Sequence, residues 1–267
     1  MYKFAHIADT HIKNLKYHYE YRIIFKELYE KLAEEAPDFI VHCGDLAHTK
    51  TQLSPEYFEL ATEFMKNLAD IAPLVIIPGN HDGNLKNSSR QDAITPIVQA
   101  LEHPNIHFFK NSGEFHATKD LCFNVLSVFD EDNWSDPTDT SKINIALYHG
   151  SISNCKTDIG WVMEHGEHEL VIFNKFDYAM LGDIHKAQVL DFDGRVRYCG
   201  STVQQNHGET NDKGFGIWEI EDKETLLIEN DNSKIEEVKF GIEVYSLKHG
   251  IANDIAASVN EVIHNSF

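Results

Sequence analysis

The 267-residue chain is short of positive charge. Its 23 lysines and arginines face 43 aspartates and glutamates, for a formal net charge of −20. Such a surface repels phosphate backbones, which weighs against a free-standing, high-affinity nucleic-acid binder. It does not exclude an enzyme whose positive charge comes from bound cations. Long apolar runs are also missing: Leu74-Val75-Ile76-Ile77 stops at Pro78, so nothing approaches membrane-spanning length. No charged-then-apolar leader opens the sequence. Four cysteines, at 43, 122, 155 and 199, form no CxxC pair and no secreted-framework spacing. Cys43, Cys122 and Cys199 lie in apolar segments and read as buried thiols of a reducing compartment. There is no repeat or low-complexity tract; residues 130–141, rich in Asp, Thr and Ser, come nearest to a flexible segment. The expectation is a soluble, cytoplasmic protein with no membrane partner.

What is present suits one large α/β core: 42% of residues are hydrophobic. Residues 2–8 read as a strand ending at Asp9. Residues 15–35 carry Ile24, Phe25, Leu28, Tyr29 and Leu32 at helical spacing, and Pro37 ends the run. A second strand, 39–41, delivers Gly44 and Asp45. Ser54-Pro55 has the form of an N-cap followed by proline in the first turn of a helix running through Leu68. A third strand, 74–77, turns at Pro78-Gly79. This strand–helix rhythm predicts βαβ units and a largely parallel core. From residue 121 the pattern is mostly strands, at 121–128, 143–148, 178–181, 196–198, 215–220 and 226–228, with few helices between. Two sheets packed face to face and flanked by helices would accommodate this. A boundary is expected near residue 232. It divides a main domain, 1–232, from a short extension, 233–267, that carries a helical stripe of Ile251, Ile255, Val259 and Val262.

Five short motifs recur, most of them after a predicted strand: Asp9-Thr10-His11, Gly44-Asp45-Leu46-Ala47-His48, Gly79-Asn80-His81-Asp82, His149-Gly150 and Gly182-Asp183-Ile184-His185. In open α/β sheets the carboxyl ends of strands are where ligands bind. Asp9 and His11 are spaced to point the same way along an extended backbone. A carboxylate beside an imidazole suits Mn²⁺, Fe²⁺ or Zn²⁺. A single histidine among the chain's 16 is weak evidence, since most are surface or satisfied core residues. The ordered set is strong evidence. Two ions about 3.5–4 Å apart can clamp a phosphodiester and lower the pKa of a bound water.

These motifs resemble the calcineurin-like metallophosphoesterase superfamily over residues 1–230. Within it the chain is similar to SbcD-type DNA repair nucleases, including those of tailed phages. His48 is followed by Thr49-Lys50, where the superfamily's serine/threonine phosphatases carry Arg-Gly. Tyr198-Cys199-Gly200-Ser201-Thr202-Val203-Gln204-Gln205 through Gly208-Glu209 is similar to the segment after the last metal motif of those nucleases. The resemblance implies a two-sheet β-sandwich flanked by helices, with a short C-terminal appendage. It implies two divalent ions, Mn²⁺ first and Mg²⁺ second. Asp9, His11, Asp45 and His185 would hold one; Asp45, Asn80, His149 and Asp183 the other. His81 would assist the leaving oxygen, His48 would orient the phosphate, and Asp82 would support the local geometry. It further implies DNA as substrate in repair or recombination, dimerisation, and an SMC-type ATPase partner of the SbcC kind. The sequence is short for that family, which leaves the ATPase contact open.

Asp183 departs from the family's Gly-His-x-His pattern. Either it damages the second site or it replaces imidazole with a harder carboxylate ligand, and the completeness of the other positions favours the second. Lys13, Lys16, Lys86, Arg90 and Lys186 follow the motifs and could touch a DNA backbone, although such residues more often form a solvated face. Trp134 and Trp161 could stack on bases, with packing as the more ordinary role. Two rivals stay open: a phosphoesterase acting on small molecules or proteins, and a non-catalytic scaffold of the same fold.

Overall fold

In the computed structural model, which describes residues 1–210 and 212–221 and the backbone of 243–246, the first half alternates strand and helix. The order is β1 (Tyr2–Ile7), α1 (His18–Glu35), β2 (Phe39–Cys43), α2 (Pro55–Ile71), β3 (Leu74–Ile77), α3 (Thr95–Leu101) and β4 (Ile106–Phe108). Helix α2 is capped as its sequence suggests: the Ser54 hydroxyl accepts a hydrogen bond from Tyr57 N at 3.2 Å, and Pro55 sits in the first turn. Helix α1 begins three residues later than the apolar spacing suggests, because Tyr17 adopts a left-handed conformation before it. Strands β1 to β4 lie side by side and parallel.

The second half supplies β5 (Gly113–His116), β6 (Leu121–Leu126), β7 (Ile143–His149), a small hairpin of β8 (Cys155–Lys156) and β9 (Val162–Met163), then β10 (Tyr178–Gly182), β11 (Gln188–Val189) and β12 (Val196–Tyr198). Here β6, β7, β10 and β12 are parallel, with β5 and β11 as antiparallel edges. The parallel crossovers use irregular segments with single 3-10 turns instead of α-helices. The chain then returns to the first sheet, where β13 (Gly214–Ile220) pairs antiparallel with β1 and with β14 (Glu243–Ser246). The expected strand at 226–228, the boundary near 232 and the helical stripe beyond 251 lie outside the described residues.

Each sheet face has its own core. The period-2 alternation of a strand sends Phe4, Val41, Val75 and Ile77 inward from the first sheet. They meet Phe123, Ile145, Leu147 and Met180 from the second. On the outer face of the first sheet, Ala5, Ile40 and Ile76 pack under Ile24, Phe25 and Leu28 of α1 and Leu60, Phe64 and Leu68 of α2. The outer face of the second sheet is covered by Ile152, Phe173 and Phe176 from loops. All four cysteines are buried and free. No described helix is long and apolar enough to cross a membrane.

Residues 130–141 are better anchored than their composition suggests. Asp130 accepts a hydrogen bond from Ser112 N at 3.1 Å, and Thr138 donates its N–H and hydroxyl to Glu114 at 2.5 and 2.6 Å. Trp134 packs edge-on against Tyr148 and donates its indole N–H to Ser127 O at 2.9 Å, a packing role. Trp161, by contrast, is exposed on the β8–β9 hairpin.

Candidate metal centre

The inward register of β7 continues past Leu147 to His149, so this imidazole arrives between the two sheets at their carboxyl ends. There its Nδ1–H donates to Cys43 O at 2.7 Å, which leaves Nε2 facing Asp45. Space for the ring depends on missing side chains. A Cβ on Gly44 would strike the His149 ring, and a Cβ on Gly182 would strike Cys43 O and approach His149 Nδ1 at 2.8 Å. The chain also turns sharply where the motifs sit. Asp9, His11, Asp45 and Asp183 all have positive φ, of 51°, 47°, 57° and 95°. For non-glycine residues this conformation is costly, and it persists where surrounding contacts enforce it, as at functional sites.

Those contacts can be named. Asp9 N donates to Gly44 O at 3.0 Å and His11 N to Asp45 O at 2.9 Å. Tyr21 reaches from α1 to donate to His11 O at 2.6 Å. The Thr10 hydroxyl bonds the buried His42 Nε2 at 2.9 Å and contacts Thr202, whose hydroxyl donates to Ala8 O. Asp82 is fully buried, and its carboxylate accepts the N–H groups of Leu46, Ala47 and Gly79, tying the second motif to the third. Burial raises its pKa to about 7 against those bonds.

The side chains converge. His11 Nε2 is 3.0 Å from His185 Nε2, 3.5 Å from Asp45 Oδ2 and 4.0 Å from Asp9 Oδ1. His149 Nε2 is 3.4 Å from Asp45 Oδ2 and 3.8 Å from Asp183 Oδ1. Asp183 N donates to both Asp9 oxygens at 3.1 Å. Three overlapping groups, Asp9/His11/His185, Asp9/Asp45/His149 and His11/Asp45/His81, each bring donor atoms within 4.8 Å of one another. Asp9, His11 and Asp45 each belong to two of the three groups. Asn80 Oδ1 and His149 Nε2 are buried acceptor-capable atoms with no hydrogen-bond partner in the protein. Unsatisfied buried polar atoms are expensive, and a cation at this place would satisfy both. The donor set of carboxylate, amide oxygen and imidazole therefore fits a pair of divalent ions.

Electrostatics point the same way. Burial raises the Asp9 pKa to about 7 despite nearby His149 and His185. Burial also raises Asp183. For Asp45 burial pushes upward too, but His149, His11 and His81 outweigh it and hold the carboxyl below its ordinary range. Burial lowers the His11 pKa. A site that strains its own acids and bases in this way is poised for added positive charge.

His81 stands at the solvent edge of the cluster, its ring 4.9 Å from that of His11. Its N–H donates to Asp45 Oδ1 at 2.8 Å, and its Nδ1–H donates to His48 O at 2.7 Å. His48 is half-buried, with its ring 5.6 Å from that of His11 and 6.1 Å from that of His81. Lys86 and Arg90 are exposed on the loop after the third motif. That loop borders a cavity of about 470 Å³ lined by Asn80, His149, Leu85, Phe129, Glu131 and Glu167, among others. Lys186 lies elsewhere, lining a separate cavity of about 340 Å³ with Lys156 and Gln188. The three basic residues are not gathered into one surface. Lys50, which follows the second motif, donates its ammonium to Asn80 O at 2.9 Å and is a further cation beside the site. A further group, Glu114/His116/Cys122, lies on β5 and β6; its carboxylate is already taken by Thr138, and its imidazole by Lys142.

The model of the calcineurin-like phosphoesterase family matches residues 2–187. "Uncharacterized protein R555" of Acanthamoeba polyphaga mimivirus is 38% identical over 240 residues, which cover 84% of this chain but only 18% of that protein. The chain thus spans less than a fifth of this relative's length. The crystal structure of a dimetal phosphatase from Danio rerio is similar in fold at 13% identity, with a TM-score of 0.50 over 82% of this chain and 92% of that one. Sheet topology, convergent ligand-type residues and family match agree: the chain belongs to the calcineurin-like phosphoesterase family.

Proposed function

We propose that the chain is a two-metal phosphodiesterase acting on DNA, a nuclease of the SbcD type. One observation carries this reading. The segment 198–209, whose sequence carries the nuclease resemblance, is built into the metal centre: Ser201 N donates to His185 O at 3.1 Å, Thr202 N to Ala8 O at 3.2 Å, and Glu209 pairs with His185.

Asp9, His11, Asp45 and His185 would hold one ion, and Asp45, Asn80, His149 and Asp183 the other, Mn²⁺ or Mg²⁺ in each case. Bound there, the ions supply Lewis-acid neutralisation of the phosphate and a more acidic water. The protein residues do the rest. The His81 Nδ1–H is committed to His48 O, so its Nε2 is the atom available to protonate the departing oxygen. His48, beside it, can hold a non-bridging phosphate oxygen. Lys86 and Arg90 would meet a strand running along the third motif, and Lys186 one leaving by the last.

Work with an SMC-type ATPase of the SbcC kind, and a homodimeric state, belong to the same proposal. The mimivirus relative, in which the matched segment is 18% of the whole, is consistent with a domain that acts beside much larger machinery. A second reading, hydrolysis of small phosphodiesters, is favoured by the cavity at Asn80 and His149. Asp130, Glu131, Asp132 and Glu167 line it, and they would repel a long phosphate chain. The deciding assay incubates labelled single- and double-stranded DNA and bis-p-nitrophenyl phosphate with Mn²⁺, Mg²⁺ or chelator. The nuclease reading expects Mn²⁺-dependent DNA cleavage that His81→Ala abolishes. Turnover of the small diester with intact DNA selects the second reading.

A further inference from the structure

Glu209 lies beyond the stretch matched by the family model, yet it touches the metal centre. The His185 Nδ1–H donates to its Oε1 at 2.9 Å, which directs the opposite nitrogen, Nε2, toward His11 and the shared carboxylates. The Glu209 side chain is 5% exposed and is itself held firmly. Asn206 Nδ2 donates to Oε1 at 2.7 Å, Gln205 N to Oε2 at 3.0 Å, and Lys213 Nζ reaches Oε2 at 3.1 Å. Lys213 is equally buried. Its ammonium also donates to His185 O at 2.8 Å and to Asp158 at 2.8 Å. Asp158, 6% exposed, sits on the loop between β8 and β9. Three charges are therefore withdrawn from water and strung from the hairpin to His185.

Withdrawing three such charges from water is costly unless each is well paired, and closing a loop requires nothing so charged. We propose that Glu209 is a positioning residue of the metal centre. It fixes the tautomer and ring direction of His185, and Lys213 clamps both Glu209 and the His185 backbone while Asp158 anchors the clamp to the hairpin. Carboxylate–histidine–metal pairings of this kind raise ligand basicity and typically carry 10–100-fold in metal affinity. The inference rests on His185 being a metal ligand, not on the substrate being DNA.

The test is Mn²⁺ titration by calorimetry and by electron paramagnetic resonance on the metal-free protein. The parent is compared with Glu209→Gln, Glu209→Ala, Lys213→Met and His185→Ala. One of the two ions should bind 10–100-fold more weakly in the Glu209 variants, the other at parental affinity. Glu209→Ala should lose more than Glu209→Gln, because the glutamine oxygen still accepts the Nδ1–H. Lys213→Met should fall between the parent and Glu209→Ala. Excess Mn²⁺ should restore much of the lost turnover, which it would not if the residue merely held the fold together. Parental affinity for both ions in Glu209→Gln and Glu209→Ala overturns the proposal, as does equal weakening of both. If His185→Ala keeps both ions at parental affinity, the ligand assignment itself fails and the proposal falls with it. Glu209→Gln keeps size and shape, so it decides the matter even if the alanine variant does not fold.

Discussion

At the scale of single residues, Asp183 is the departure from pattern that carries most meaning. Its carboxylate lies 3.8 Å from His149 Nε2, and its backbone N–H is given to Asp9. That sets it beside the cluster, although it belongs to none of the three groups there whose donor atoms lie within 4.8 Å of one another. Asp183→Ala should leave a protein that retains one ion instead of two and loses nearly all activity; metal analysis by mass spectrometry together with anomalous scattering decides it, and two retained ions would remove Asp183 from the ligand set. His81 makes the complementary case. It sits at the edge, so His81→Ala should keep both ions and lower kcat by about 10²–10⁴-fold, the usual range for loss of a general acid. Asp9 gives a prediction with a sign. Its folded pKa, about 7, is raised from an ordinary 3.8. In the metal-free protein its contribution to stability is therefore complete below about pH 4 and lost as pH rises through 7. Asp9→Asn should melt at a higher temperature than the parent at pH 8 in chelator, with the gap closing toward pH 4, while binding Mn²⁺ poorly. An unchanged gap across that pH range would show that the Asp9 charge is not what destabilises the metal-free centre.

At the scale of elements, the two sheets act through their carboxyl ends. Strand β7 carries Ile145 and Leu147 inward and, with the same alternation, His149. A slip of one residue would turn the imidazole outward. The room it enters is set by Gly44 and Gly182, where any Cβ collides with His149 or its partner Cys43 O. Gly182→Ala should displace His149 and weaken binding of one ion by at least tenfold, with a loss of about 1–3 kcal/mol in unfolding free energy by denaturant titration. If both quantities stayed at parental values, the close packing around His149 would not be needed. This element logic was legible in part. Short apolar-rich stretches marked β1, β2, β3, β6, β7, β10, β12 and β13, and Ser54-Pro55 marked the start of α2. Short β4, β5, β8, β9 and β11 went unread, since two to four residues carry too little periodicity to stand out. Helix α3 has only seven residues and one buried side chain, Ile97, so it presents no stripe.

At the scale of the whole molecule, a charge of −20 surrounds a centre built to receive cations. Without metal the chain should bind duplex DNA no more tightly than the non-specific range of about 10⁻⁴–10⁻⁶ M at physiological salt. Affinity should rise when Mn²⁺ is added. Filter binding in chelator and in Mn²⁺ measures both, and tight binding in chelator would mean that a basic surface, not the metal centre, provides the grip. Lys86 and Arg90 lie on one side and Lys186 at another cavity, so the known cations are too dispersed for that.

The sequence by itself determined the family and the ligand-type residues. Strand-end motifs are local, and each brings its donor atoms with it. Asp9, His11, Asp45, Asn80, His149, Asp183 and His185 could be named in order because the chemistry of metal binding tolerates few side-chain types. What the tertiary structure decided is how those residues are held. The left-handed turns at Asp9, His11 and Asp45 exist only because the two loops exchange backbone hydrogen bonds across parallel strands. Asp82 reaches Leu46 and Ala47 from 36 and 35 positions away. Glu209 meets His185 because the segment leading to β13 is tied to both halves of the centre, Thr202 N to Ala8 O and Ser201 N to His185 O. Such contacts depend on close approach between segments distant in sequence, and no local pattern encodes that distance.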